Sequence, residues 1–149
     1  MTSTRYQQTV CLRCHKVVFI SKVRSEGIVA IVSHLEDDHG HHSSMIIEGG
    51  DFSMEPAVTR CDLCGVPVEA PVWTYYTRPG FAEDNGWCVC SACHELIVAD
   101  QLQRLLHRVV DEQCTNFAVD KSQVIHLTMP KIRGFLDNRV GEPVREDVL

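Results

Sequence analysis

No apolar run in this chain approaches the roughly 18 to 20 residues that a membrane-crossing helix needs. The first ten residues, MTSTRYQQTV, also lack the apolar core of a signal peptide, so the expectation is a soluble, cytoplasmic protein without a membrane partner. Aromatic residues are scarce, at 7% of the 149. A chain this short with so few rings has little material for a large oily core, although 44% hydrophobic content excludes wholesale disorder. Basic residues are outnumbered, 14 against 20 acidic, and the net charge of −6 argues against a protein whose main business is wrapping phosphate backbones. Phosphate-loop and dinucleotide-binding glycine motifs are missing, and so is the Pro-Cys-x-x-Cys half of the zinc-deaminase signature.

Cysteine and histidine are what the chain has in quantity, eight of each. Cys61-x-x-Cys64 and Cys90-x-x-Cys93 are spaced as two halves of a four-thiolate zinc site, and nothing indicates the export that a disulfide framework would require. Gly65 can take the left-handed backbone that closes a metal knuckle, and Val72–Thr77 with Gly86–Val89 can form a hairpin around the Pro79-Gly80 and Asn85-Gly86 turn signals. An apolar, helix-prone run begins at His94, which puts Cys90 and Cys93 in the first turn of a helix whose positive end favours thiolates. Knuckle, hairpin and ligand-bearing helix make a treble-clef-like module.

A second set of donors precedes it. Cys11-x-x-Cys14 is followed by a β-branched run, and His34 and His39 have the H-x3-5-H spacing of a Cys2His2 finger, with His41 or His42 as substitutes. The segment between is predicted to start as strand near Ile28 and to become helix by about Ile31, stopping at Gly40. Base readout by that helix is not expected, because it offers aliphatic residues and then three acids. Any nucleic-acid contact falls instead to the basic hairpin, Arg13, Lys16, Lys22 and Arg24, with Arg78, Arg104 and Arg108 as possible additions.

The expected plan is therefore α+β: a finger over 1–44, a linker over 45–58 that docks on one module, the four-cysteine module over 59–112, and helices with a charged tail over 113–149. Val98, Leu102, Leu105, Leu106 and Val109 form a stripe on one helix, or on two short ones broken near Ala99-Asp100; Asp100 and Gln103 have the form of an N-cap, and Asp120 and Pro130 mark two further helix starts. Cys88 reads as a buried thiol or an exchangeable ligand, and Cys114 has no assigned role.

Cys61, Asp62, Cys64, Pro71, Val72, Trp73, Tyr75, Gly86, Trp87, Cys90 and Cys93 together resemble the pattern of a group of small actinobacterial and actinophage zinc-finger proteins. The resemblance covers roughly 61–112; it implies that Cys88 is not a ligand, and it implies no activity. Two zinc ions per chain and a protein partner, host or viral, whose activity is modulated, are the resulting expectation. Nucleic-acid binding is the alternative. A remoter one is a His-metal nuclease, in which Asp38-His39-Gly40-His41 would carry the chemistry and Cys11, Cys14, Cys61 and Cys64 would form one quartet.

Overall fold

A computed structural model describes residues 6–21, 24–40, 50–81 and 86–147, with the side chains of residues 24, 25, 28 and 29 left out of the description. Lys22, His41, His42 and the Met45–Ile47 part of the expected linker lie outside the described residues. The architecture is α+β, with two three-stranded antiparallel sheets and five helices among the described residues. The chain divides into two compact units, Met1–Val58 with Thr115–Ala118, and Thr59–Cys114 with Val119–Leu149.

In the first unit β1 (Gln7–Cys11) lies between β2 (Val17–Ser21) and β3 (Phe52–Pro56), and α1 (Arg24–His39) crosses the sheet. The strand expected at Ile28 is helix. Ile28, Ile31, Val32 and Leu35 recur at i, i+3, i+4 and i+7, and this phase overrides the β-preference of each branched residue. Gly27 lets the helix approach: a Cβ there would overlap Thr9 Oγ1 and come within 2.8 Å of Met54 Cε. Phe52–Pro56, expected within the linker, is instead a sheet strand in register with β1, Cys11 opposite Phe52 and Gln7 opposite Pro56. Proline is tolerated there because β3 is an edge strand. Among the described residues the core cluster of this unit is small, with Cys11, Ile31 and Leu35 buried and Cys14, Val18 and Phe52 packed on them.

The second unit places β4 (Val72–Thr77) between β5 (Gly86–Cys90) and β6 (Arg139–Glu146). Helices α2 (Ser91–Val98), α3 (Leu102–Asn116), α4 (Lys121–Gln123) and α5 (Met129–Asn138) accompany the sheet, α4 and α5 joined through a π-helical turn at Val124–Thr128. The expected charged tail is thus a strand, with Val144 opposite Thr74 and Arg139 opposite Thr77. Its charges belong on a solvent-facing edge, which is why it read as a tail. Leu63, Leu105, Val109, Ile132 and Phe135 are fully or almost fully buried in a core shared with Tyr75, Trp87 and Val89.

The chain forms two helices broken at Ala99-Asp100, the second of the two expected alternatives, and the stripe does not run across both. Leu105, Leu106 and Val109 are buried, but Val98 is 68% and Leu102 41% exposed. Asp100 is not the N-cap of α3. It ends α2 with φ 54°, its N–H bonded to Ile97 O and that of Gln101 to Leu96 O, a left-handed C-terminal closure that resets the helical phase. Asp120 does cap α4 in a reciprocal box with Gln123, and Pro130 sits in the first turn of α5.

Candidate metal centres

Of the three Cys-x-x-Cys segments, Cys11–Cys14 and Cys61–Cys64 fold into the same knuckle. The N–H of Gly65 donates to Cys61 O at 2.9 Å and that of Cys61 to Val66 O at 2.9 Å; the N–H of His15 donates to Cys11 O at 2.6 Å and that of Cys11 to Lys16 O at 3.0 Å. The fifth residue takes a left-handed backbone in each, φ 80° at Gly65 and φ 62° at His15. For a residue with a Cβ this conformation costs about 1–2 kcal/mol. His15→Gly should therefore stabilise the first unit by about 1 kcal/mol, read as a shift in the denaturant midpoint of the metal-loaded protein without a change in metal content.

Cys61, Cys64, Cys90 and Cys93 converge, with all four sulfur atoms within 4.8 Å of one another and all four residues buried. Cys90 closes β5 and caps α2, where its sulfur accepts from Cys93 N at 3.5 Å. Cys61 Sγ accepts from Cys64 N at 3.5 Å and Cys90 N at 3.4 Å. Asp62 ties the knuckle to β5, its N–H donating to Cys88 O and its Oδ2 accepting from Cys88 N, each at 2.7 Å. Cys11, Cys14, His34 and His39 form the other group, their donor atoms also within 4.8 Å of one another. Here the hairpin supplies the sulfurs and α1 the imidazoles.

Donor spacing tests whether an ion fits. A tetrahedral ion with bonds of about 2.3 Å to sulfur and about 2.0 to 2.1 Å to nitrogen requires edges of about 3.8 Å (S to S), 3.5 Å (S to N) and 3.3 Å (N to N). Cys64 Sγ and Cys90 Sγ are 3.7 Å apart. In the first group Cys11 Sγ is 3.5 Å from His39 Nε2, Cys14 Sγ is 3.4 Å from His34 Nε2, and the two Nε2 atoms are 3.1 Å apart. Both groups fit a tetrahedral metal ion. Four protein donors fill that geometry and leave no position for a water or substrate.

The electrostatics point the same way. Hydrogen bonds within the four-cysteine group, that from Cys61 first, hold Cys90 far down as thiolate, and they push Cys64 and Cys93 far above the ordinary thiol range. Hydrogen bonding from Cys64 brings Cys61 down to about 7. Sulfurs this close cannot all ionise alone, and a divalent cation supplies the missing charge. In the first group burial raises Cys14, and burial followed by the neighbouring His34 lowers His39, favouring the neutral imidazole that ligates.

Three supporting residues were not anticipated. Asp38 Oδ2 lies 2.6 Å from His34 Nδ1, which fixes the proton on Nδ1 and leaves Nε2 to face the other donors. The i, i+4 spacing of His34 and Asp38 is legible in the sequence, although Asp38 also closes a run of three acids. Asp38→Ala should weaken metal binding at this group about 10- to 100-fold while the second retains its ion, measurable by competition with a chromogenic chelator. Arg108 Nη2 donates to Cys90 Sγ at 3.7 Å. Burial opposes its charge, but hydrogen bonds to Cys90 and Cys93 outweigh that and hold the guanidinium above its ordinary value. No local signal marks it, since it arrives from α3. Asp62, with its two hydrogen bonds to the Cys88 backbone, is the third.

The remaining candidates fall elsewhere. Cys88 is outside both groups; burial, then the charge of Asp62, pushes its thiol up to about 11. His94 turns into aromatic packing, its Nδ1 2.7 Å from Tyr75 Oη and its ring stacked 3.7 Å from Trp73, and His15 is exposed. Cys11-x-x-Cys14 and Cys61-x-x-Cys64 belong to different groups, so the quartet that the nuclease alternative needs does not form. Of the basic hairpin, Arg13 is bonded to Asp51 at 3.1 Å, Lys22 is outside the described residues, and only the backbone of Arg24 is described. Lys16 remains half-buried, and Arg108 is engaged with sulfur.

The class that fold and sites define is an α+β chain of two small units, each with four Cys or His donors poised for one metal ion. Comparison with family models, curated proteins and solved structures gave no match. Among the described residues no helix is long and apolar enough to cross a membrane.

Proposed function

We propose that this chain is a non-enzymatic adaptor of the cytoplasm, held in shape by two zinc ions, that binds a protein partner and modulates it. The observation that carries the reading is the closure of both donor groups: four thiolates in one, two thiolates and two imidazoles in the other. Tetrahedral sites of these soft donors select zinc among the common divalent ions, and a filled site stabilises a fold without activating water. Apolar side chains left on the surface support binding, notably Leu127 at 76% and Val98 at 68% exposure. The second unit, read as treble-clef-like, is assigned by the same proposal to the small actinobacterial and actinophage zinc-finger proteins, and its partner to a host or viral protein. The residues behind that resemblance include Asp62 and Trp87, which here brace the knuckle and pack the core.

The test begins with metal analysis, which should find two zinc ions per chain. The zinc-loaded protein is then used to capture partners from an actinobacterial lysate, and the strongest candidate is purified and recombined with it. A stoichiometric complex that changes the candidate's activity is the expected result. Absence of any complex between purified components, with both ions in place, overturns the adaptor reading; nucleic-acid binding that survives moderate salt would replace it.

A further inference from the structure

The ladder between β4 and β6 is interrupted at one place. Thr74 pairs with Val144 and Tyr76 with Val140, so Tyr75 alone stands opposite three residues, Gly141, Glu142 and Pro143. Extra residues on one strand bend it away from its partner and re-aim its side chains, and Gly141 takes φ 69° in the bend. A cavity of about 500 Å³ lies beside this bulge, wholly within the second unit and in the usual range of roughly 300–1,000 Å³ for small-molecule sites. Its aromatic wall is fixed in advance. Trp73 stacks 3.7 Å from His94, whose Nδ1 lies 2.7 Å from Tyr75 Oη, and Tyr75 packs edge-on against Phe135 at 5.6 Å. Ile97 and Val98 from α2, Leu136 from α5 and Pro143 from β6 complete an apolar lining.

Two opposite charges face this cavity. Arg139 and Glu142 both line it, yet neither belongs to an ion pair among the described residues, and Arg139 engages only its Nε, on Leu136 O at 3.1 Å. The neighbouring charges are already engaged, Arg145 with Asp147 at 2.8 Å and Glu146 with Thr74 at 3.3 Å. An adjoining cavity shares Arg139 and adds Arg133, Asp100 and Asp137, but neither of those acids is paired with Arg139. Burial raises the Tyr75 phenol, and beyond burial Arg139 lowers it and Glu142 raises it, so both charges act on one point of the cavity wall. An internal peptide segment has neither terminal charge, a chain terminus has one, and a free amino acid has both on a single carbon. We propose that this cavity is a binding site for a free α-amino acid with an apolar side chain, its carboxylate on Arg139, its ammonium on Glu142 and its side chain against Ile97, Leu136 and Pro143. Charge-assisted hydrogen bonds hold the two polar groups, and the apolar walls select the side chain. The site does not depend on the adaptor reading.

The probe is L-phenylalanine, titrated into the isotope-labelled, zinc-loaded full chain and followed through the amides of Gly141 and Glu142 and the indole of Trp73. It should bind with a Kd at or below about 1 mM. Phenylalanine amide, which lacks the carboxylate, and N-acetylphenylalanine, which lacks the ammonium, should each bind at least about tenfold more weakly. Substitutions then assign the two ends. Both residues are exposed on an edge strand, so Arg139→Gln and Glu142→Gln should keep two zinc ions and the fold. Arg139→Gln should weaken phenylalanine and leave the amide unchanged, whereas Glu142→Gln should weaken phenylalanine and leave N-acetylphenylalanine unchanged. No saturable shift at about 10 mM phenylalanine, or shifts centred away from the bulge, would overturn the proposal. So would an analogue that binds as tightly as phenylalanine, which would make this a site for a single charge. That comparison uses the unaltered chain, so it decides the matter even where a variant loses its fold.

Discussion

Replacing Cys93 by serine should reduce the bound metal from two ions per chain to one and unfold the second unit, whereas Cys88→Ser should leave both ions and the fold in place. Cys93 is fully buried with three other sulfurs, and a serine hydroxyl at neutral pH does not replace a thiolate on a soft tetrahedral ion. Structural zinc contributes about 10–16 kcal/mol of binding free energy in small modules, which is comparable to or larger than the roughly 5–15 kcal/mol stability of a whole domain. Losing most of it leaves nothing to hold the knuckle, β5 and the start of α2 together. Both tryptophans, Trp73 and Trp87, lie in the second unit, so their emission reports the collapse. Cys88 lies outside the donor group, half-buried, and its thiol is kept protonated by burial and by Asp62. Two ions retained by Cys93→Ser, or one lost from Cys88→Ser, would mean that the ligand set is misassigned.

A chelator added in excess should release the two ions in order, that of the first unit at least about tenfold faster and without change in tryptophan emission. Release needs an approach path and a local opening, and the first unit offers both. Cys14 and His39 are only half-buried, and among the described residues the core cluster behind them has three buried members, Cys11, Ile31 and Leu35. Units with few buried contacts open at low free-energy cost. The other group is buried throughout, its sulfurs accept three N–H bonds at 3.4–3.5 Å, and Arg108 offsets thiolate charge. The second ion should leave slowly, together with the tryptophan change. Simultaneous release, or tryptophan change with the first ion, would show that the units do not hold their metals independently.

Donor identity and grouping were legible because a metal site is written in spacing: a knuckle needs two cysteines three positions apart, and a helix presents histidines about a turn apart to one point. His34 and His39 could be named on that ground although the loop before them is longer than in ordinary fingers. The helix over 24–39 was half legible, because Ile28, Val29 and Ile31 favour strands individually and only their phase favours a helix. Edge strands were the least legible. Phe52–Pro56 and Arg139–Glu146 carry loop residues and charge because one side of each faces water, and their pairing is a property of the neighbouring strand.

By itself, then, the amino-acid order determined that sulfur and imidazole would gather in two groups of four, that the chain would mix helix and sheet, and that a helix would start after Asp120. Those features depend on residues within a turn or a hairpin of one another. Only the tertiary structure decided that Arg108 would reach Cys90, that Asp38 would orient His34 and that β6 would close the second sheet. Each of these depends on which distant segments come to lie side by side, and no local pattern encodes that because the energy gained resides in the contact.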